Sequence, residues 1–180
     1  GQQAHWTAWN ASWSIANLSL HPGLNRILVQ AFDAAAREIA REWITLWCET
    51  GISTPLSGRV STPTILAAER SPYVVSGRFA IGDGADVTIE PNTTVCFQSD
   101  AELSIEDGGR LVAEGTPFEP ICFMSIPGGN RWSGLTVTGS AGSPETRLTY
   151  AHFEGYNSTA IHSSGGTLLL DHVTFGTTIL

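Results

Sequence analysis

The feature that most constrains this sequence is a short apolar strand ending in Phe, which recurs four times. The segments "TTVCF", "EPICF", "TYAHF" and "DHVTF" end at Phe97, Phe123, Phe153 and Phe175, with spacings of 26, 30 and 22 residues. Another short alternating segment precedes each of them: "DVTIE", "GRLVAEG", "TRLTY" and "TLLLD". Several short strands per turn of 22 to 30 residues, separated by Gly, Asn, Asp and Pro, are typical of a coiled solenoid.

The residue two positions before each Phe is also apolar: Val95, Ile121, Ala151 and Val173. Side chains alternate across a strand, so this residue and the Phe lie on the same face. Successive coils lie about 4.8 Å apart, and we therefore expect the four Phe rings to form one internal ladder. The pattern predicts an all-β fold, a right-handed parallel β-helix, with an antiparallel sandwich as the alternative.

Charge and composition exclude several functions. No Lys occurs among the nine basic residues, so a phosphate-loop Lys, a kinase Lys and a Schiff-base Lys are absent from this sequence. The net charge is −8, and nine acidic residues lie between Asp83 and Glu119 against Arg110 alone. Because an acidic surface repels phosphate backbones, we expect no nucleic-acid partner. No apolar run approaches 18 residues, so we expect no membrane insertion.

One stretch resembles a known family. "SPYVVSGRFAIGDGADVTIEPNTTVCF" (71–97), followed by "GRLVAEGTPFEPICFMS" and "RWSGLTV", is similar to the entry and first coils of right-handed parallel β-helix (pectate-lyase-like) domains in large extracellular bacterial proteins. Val87 stands where those domains often carry Leu, and Asn92 stands at their turn Gly. The resemblance covers about residues 71 to 175 and implies the architecture. It implies no activity, because the same scaffold carries lyases, hydrolases, adhesins and inert spacers.

The segment before the coils has a different pattern. Trp13, Ile15, Leu18 and Leu20 indicate a strand, 21–23 a turn and 27–32 a second strand. The Ala-rich run 34–47 also suits an amphipathic helix. "LHPGLNRILVQAFDA" resembles the last strands of immunoglobulin-like domains that precede such β-helices, which implies a hairpin turning near 33–37. A remnant of this kind would leave its apolar faces incompletely covered.

These patterns divide the chain into three parts: the end of an immunoglobulin-like domain (1–48), a linker rich in Ser, Thr, Pro and Gly (49–71), and the N-terminal coils of a truncated β-helix (72–180). The sequence stops at "GTTIL" directly after a strand-like run, so we expect it to continue into further domains. Proteins of the resembled type carry lamin-tail modules and a kinase-like domain related to spore coat protein H (CotH). None of that kinase's motifs is present.

Three outward positions carry residues that could form a disulfide or bind a metal. Cys96, Cys122 and His152 each precede a Phe on successive turns, so we expect them in one row. A disulfide between the two cysteines, or a soft metal shared by Cys and His, are both hypotheses. The simpler interpretation is an outer face covered by a loop, because zinc prefers four convergent ligands and a straight row does not converge.

The remaining candidates are weaker. Asp171 and His172 are adjacent in one strand and are expected to point to opposite faces, which excludes a simple dyad. His162 is expected to be a strand-end residue that meets Ser163 or Ser164 only by accident. Calcium is a hypothesis for the acidic set, although solvated corners explain it better because no calcium-loop motif is present. The set comprises Asp83, Asp86, Glu90, Asp100, Glu102, Glu106 and Asp107.

The sequence thus predicts no catalytic residue, no cofactor and no metal ligand. The leading functional hypothesis is a non-catalytic, extracellular structural or interaction segment of a larger secreted or surface protein. Its expected partner is a carbohydrate or another cell-surface polymer. The alternative is part of a carbohydrate-active enzyme, a polysaccharide lyase or hydrolase, whose catalytic coils lie beyond Leu180.

Overall fold

The computed structural model describes residues 1–176, and the expectation of coils continuing through "GTTIL" falls partly outside them. Two short 3₁₀ turns lie at Ala8–Asn10 and Ala68–Arg70. None of the helices described is long and apolar enough to span a bilayer. The strands are β1 (His5–Thr7), β2 (Ser12–Ser14), β3 (Gly23–Phe32), β4 (Glu38–Cys48), β5 (Thr54–Val60), β6 (Thr64–Leu66), β7 (Tyr73–Ile81), β8 (Asp86–Ile89), β9 (Thr94–Phe97), β10 (Glu102–Ile105), β11 (Arg110–Glu114), β12 (Ile121–Ser125), β13 (Gly134–Thr138), β14 (Thr146–Thr149), β15 (Ala151–Glu154), β16 (Ile161–Ser164), β17 (Leu168–Asp171) and β18 (Thr174–Phe175).

The chain from β5 onward winds around three parallel sheets. The first sheet contains the start of β7 followed by β9, β12, β15 and β18. The second contains the end of β7 followed by β10, β13 and β16. The third contains β6, β8, β11, β14 and β17. Each full coil adds one strand to every sheet, so the molecule is a parallel β-helix and the all-β prediction is confirmed.

Alternation within each strand fills the interior. In the third sheet the inward column runs through register-paired Ile89, Ala113 and Leu148, all of them buried. In the second sheet, Leu103 is paired with Leu135 and is also buried. A void of only about 10 Å³ lies among the core side chains, roughly the space of one water molecule. The coils therefore enclose a closely packed core and no ligand-sized cavity at that position.

The aromatic ladder differs from the one expected. Phe123, Phe153 and Phe175 are in register, but Phe97 pairs with Ser125, and Val95 pairs with Phe123. The equivalent residues are therefore 28 apart across this coil, whereas the Phe residues are 26 apart, so the prediction that Phe97 belongs to the same column is wrong. The cause is the variable corner length, which the spacing of Phe residues alone does not reveal.

Trp132 connects Phe97 to the column of Phe rings. The rings of Phe97 and Trp132 lie 3.9 Å apart and nearly parallel, at 10°. Trp132 lies 6.1 Å from Phe153, which in turn lies 4.7 Å from Phe123. The Trp132 indole Nε1–H donates to the backbone oxygen of Glu154 at 2.7 Å, so the one polar atom of this buried ring is satisfied.

The coils begin earlier than the sequence indicated. The segment 49–71, expected to be a linker, contains β5 and β6, which pair in parallel with β7 and β8. Leu66 belongs to the buried core, and the partly buried Leu56 and Val60 pack against it. Because β5 lies at the open edge of the sheet, it tolerates the Pro and Gly that suggested irregular structure. The expected boundary at residue 72 is therefore corrected to Thr54.

The N-terminal part forms two antiparallel pairs, β1 with β2 and β3 with β4. The β3–β4 hairpin turns at 33–37, where Asp33 Oδ1 accepts the backbone N–H groups of Ala35 and Arg37. Ala36 has φ +59, which the turn accommodates. The hairpin interpretation is confirmed and the helix over 34–47 is wrong. The strand expected from Trp13 to Leu20 is limited to Ser12–Ser14, and an immunoglobulin-like origin of this region stays a prediction.

Candidate functional site

The β3–β4 hairpin lies on the outer face of the first sheet. Leu24 forms a buried cluster with Cys96, Cys122 and Met124, and the partly buried Trp47 packs against it. The Leu24 backbone N–H donates to Thr94 Oγ1 at 3.0 Å. Gly23 precedes it with φ +94, and a Cβ there would lie 2.8 Å from Thr94 Oγ1. A glycine is therefore required where the hairpin approaches the coils.

The outward columns of the first sheet change from apolar to polar along the coil axis. Cys96 pairs with Met124, which pairs with Glu154. Thr94 pairs with Cys122, followed by His152 and Thr174 in the same column. The apolar members lie under the hairpin together with Thr94, whose hydroxyl accepts the Leu24 N–H. The other polar members lie on the later strands β15 and β18. This change marks the border of the surface that the hairpin covers.

The two outward cysteines are structural residues of the hairpin contact. Cys122 and His152 are directly paired and lie in one row, as expected. Cys96 is paired with Met124, which lies two residues after Cys122 on β12, so the expected single row is wrong for Cys96. A diagonal pair of this kind places side chains about 7 Å apart, too far for a disulfide, and both thiols are free. Burial raises the pKa of both thiols to about 12, so they are neutral at physiological pH. The interpretation of a covered outer face therefore holds, with the hairpin as the cover.

A cleft of about 360 Å³ lies between the hairpin and the uncovered part of the first sheet. Its volume is within the range of small-ligand sites. The hairpin contributes Arg26, Trp43 and Thr45 to one wall, and the sheet contributes the polar end of its outward columns to the other. The sequence analysis missed this cleft, because the hairpin's position on the sheet is not encoded by any local pattern.

The polar groups of the sheet wall are connected. His152 Nδ1 lies 2.6 Å from Thr174 Oγ1, and His152 Nε2 lies 3.3 Å from Glu154 Oε1. On the hairpin wall the Arg26 guanidinium carbon lies 4.6 Å from the centre of the Trp43 ring, a cation–π geometry. The Trp43 ring is also 6.4 Å from that of Phe118. The cleft thus combines hydrogen-bonding groups with an aromatic surface.

Asp171 and His172 contact each other, contrary to expectation. His172 Nδ1 lies 2.7 Å from Asp171 Oδ1, and both side chains are exposed. Strand β17 ends at Asp171, and His172 has φ +51, so the alternation that would separate them no longer applies. The His172 ring stacks on Tyr150 at 4.5 Å. His162 is exposed on β16, where it is paired in register with Thr136 inside the strand and not at its end.

Arginines from neighbouring coils engage many of the acidic corners. Arg59 pairs with Asp83 and Glu106, and Arg78 pairs with Glu102 and Glu106. The Arg59 guanidinium holds the pKa of Asp83 below its ordinary value. Among residues 1–176, no group of three or more His, Cys, Asp or Glu side chains is arranged to hold a metal ion. Asp83, Glu102 and Glu106 therefore have a structural explanation in exposed ion pairs.

Three parallel sheets wound around one filled core define the protein as a parallel β-helix. A family model described as a pectate-lyase-like beta helix domain matches residues 58–168, which is more than half of the chain. The chain belongs to this pectate-lyase-like β-helix family. No curated protein and no solved structure matches the sequence.

Proposed function

We propose that this chain is a non-catalytic structural and interaction segment of a larger extracellular or cell-surface protein, in which the coils form a stiff support for binding surfaces. The resemblance of residues 71–97 to β-helix domains of extracellular multidomain proteins supports this setting. A carbohydrate or another surface polymer is the partner that we propose for the exposed faces.

One observation carries the proposal: the core is continuous and filled through successive coils. The rings of Phe97, Trp132 and Phe153 stack without interruption across the layers. Burying one such ring contributes on the order of 1.5 to 3 kcal/mol before the entropy of ordering is subtracted. Because every layer supports its neighbours, bending the axis would disturb many contacts at once, which suits a spacer.

The surface is consistent with this role. Several carboxylates are engaged in ion pairs with arginines of a neighbouring coil, such as Asp83 with Arg59 and Glu114 with Arg147. Exposed pairs of this kind contribute about 0 to 1 kcal/mol each, and they contribute less as salt is added. Their effect here is to organise the corners of adjacent coils.

Incubation of the chain with acidic and neutral polysaccharides tests the absence of catalysis. Viscosity and the release of reducing ends are measured, and we expect neither to change. Cleavage of any polymer by the purified chain would overturn the non-catalytic proposal and favour the carbohydrate-active alternative.

Hydrogen exchange tests the stiffness. Strands β11, β12 and β13 belong to the central coils. We expect their backbone amides to exchange slowest, because breaking their hydrogen bonds requires disruption of the coils on both sides. The two-stranded β1–β2 pair provides the internal reference. Exchange of the central amides at the rate of β1–β2 would contradict a rigid support.

A further inference from the structure

The cleft between the hairpin and the first sheet has a concave shape and a polar lining that a purely structural role does not require. A support needs the apolar contact of Leu24 with Cys96, Cys122 and Met124. It does not need a concave surface of about 360 Å³ beside that contact, lined by hydrogen-bonding groups from two separate parts of the chain. We propose that this cleft binds an uncharged saccharide unit.

The polar groups suit hydroxyl ligands. Arg26 offers N–H donors, Thr45 and Thr174 offer hydroxyls, and Glu154 offers acceptor oxygens. A sugar hydroxyl both donates and accepts, so a ring with several hydroxyls can satisfy donors on one wall and acceptors on the other. The Thr174–His152–Glu154 contacts hold the sheet wall in one arrangement, which lowers the cost of ordering it on binding.

The apolar groups suit the carbon face of a sugar ring. Trp43 is partly buried and lies against the Arg26 guanidinium, which fixes the ring position. Pro120 and Leu24 add apolar surface to the same cleft. A flat ring with apolar C–H groups on one face and hydroxyls around its edge matches this division between aromatic and polar walls.

Charge decides between neutral and acidic sugars. One guanidinium, from Arg26, and one carboxylate, from Glu154, line the cleft. The Glu154 side chain is only 17% exposed, so a carboxylate brought beside it would meet a poorly screened negative charge. The chain as a whole carries −8. A uronate is therefore disfavoured relative to a neutral sugar of the same size.

Titration of the full chain with oligosaccharides of matched length tests this proposal. The probes are uncharged β-glucan, mannan and xylan oligomers and the oligomer of galacturonate, with tryptophan fluorescence and calorimetry as readouts. We expect saturable binding of at least one neutral series and binding at least about tenfold weaker for galacturonate. Glu154→Gln should narrow this difference, because it removes the repelling charge.

Matched variants locate the binding. Trp43→Ala and Glu154→Ala should each weaken neutral binding by about tenfold or more, since each removes a group in contact with the sugar. Trp9→Ala replaces a tryptophan that is 87% exposed, and Glu114→Ala replaces an exposed carboxylate on the third sheet, so neither should change affinity. The alkylation rate of Cys96 reports whether the hairpin stays docked in each variant. Glu154 lies on β15, outside the hairpin, and its variant is decisive if Trp43→Ala loosens the hairpin.

Three outcomes overturn the inference: no saturable binding of any neutral series, tighter binding of galacturonate, or neutral binding that Glu154→Ala leaves unchanged. The inference rests on the proposed function for its carbohydrate partner, but it can fail separately from the structural role. Cleavage of a bound oligomer would contradict the non-catalytic proposal without removing the site, whereas absence of binding and of cleavage would remove the site and leave the structural role intact.

Discussion

The interior of the coils and the N-terminal hairpin use the same kinds of apolar residue, yet they are covered differently. Trp132 and Phe153 are completely buried, whereas Phe32 is 54% and Ile39 is 66% exposed on the hairpin. Each core ring has a neighbour from the coil above or below, while the hairpin is a two-stranded pair that contacts the coils mainly near Leu24 and Trp47. Alternation in the sequence thus creates an apolar face, but a stacked neighbour is needed to bury it.

The largest expected effect is at the centre of the stack. Trp132→Ala removes the ring that lies 3.9 Å from Phe97 and the hydrogen bond to Glu154, so we expect the free energy of unfolding to fall by about 3 to 5 kcal/mol. Urea unfolding followed by circular dichroism measures it. Trp9→Ala is the matched control and should stay within about 0.5 kcal/mol. Equal losses from both variants would remove the distinction between the buried stack of the coils and the exposed N-terminal part of the chain.

The next effect concerns contact between adjacent backbones in the coils. Gly134 has φ +94, and a Cβ there would lie 2.3 Å from the backbone oxygen of Thr159 on the following coil. We expect Gly134→Ala to cost about 3 kcal/mol, since both the conformation and the contact are unfavourable. Gly128 also has positive φ but no atom within 4 Å of the added Cβ, so Gly128→Ala should cost only about 1 kcal/mol. Similar losses in urea unfolding would contradict the close approach.

Docking of the hairpin is expected to be weaker than coil packing. Leu24→Ala removes the hairpin's buried residue in the cluster with the cysteines, and we expect it to cost about 2 kcal/mol and to accelerate alkylation of Cys96. Burial raises the pKa of that thiol to about 12, so the docked state should react slowly. Leu46→Ala, on the opposite side of the hairpin, is the control. A Cys96 rate that Leu24→Ala leaves unchanged would mean that the hairpin does not cover it.

The smallest effect is a pH dependence at a corner. Hydroxyls of Ser143 and Ser140 donate to Asp107 and hold its pKa below the ordinary 3.8. A carboxyl with a lowered pKa in the folded state stabilises the fold above pH 3.8 and loses this contribution as the pH falls through the lowered value. Asp107→Asn should therefore be slightly less stable than the parent chain near pH 6 and equal to it at strongly acidic pH. A constant difference across this range in thermal unfolding would contradict the assignment.

The sequence predicted the coils because alternation and corner residues are local signals. Val87, Ile89 and Leu111 point inward as a two-residue period requires. Register was not predictable, because corner lengths differ and nothing local states how many residues a corner consumes. For that reason Phe97 was wrongly predicted to lie in the same column as Phe123. Trp132 was not predicted to be a core residue, although its ring lies in the centre of the stack.

The cleft was not predictable for a related reason. Arg26 and Trp43 are close to Glu154 only because a distant hairpin folds back over the first sheet. A signal existed in the outward columns, where Cys96, Cys122 and Met124 are unusually apolar for a solvent-facing side. An apolar outer face indicates that another part of the chain covers it, although it does not say which part.

The unequal corners have a consequence for how such a chain can diversify. Register-equivalent residues of the first sheet are 22, 28, 30 and 22 apart in sequence, and yet the columns stay aligned. Residues inserted at the corners therefore extend outward from the coils and leave the hydrogen-bonded ladders unchanged. Natural variation can change the length and surface of each corner separately while the spacing between coils stays the same.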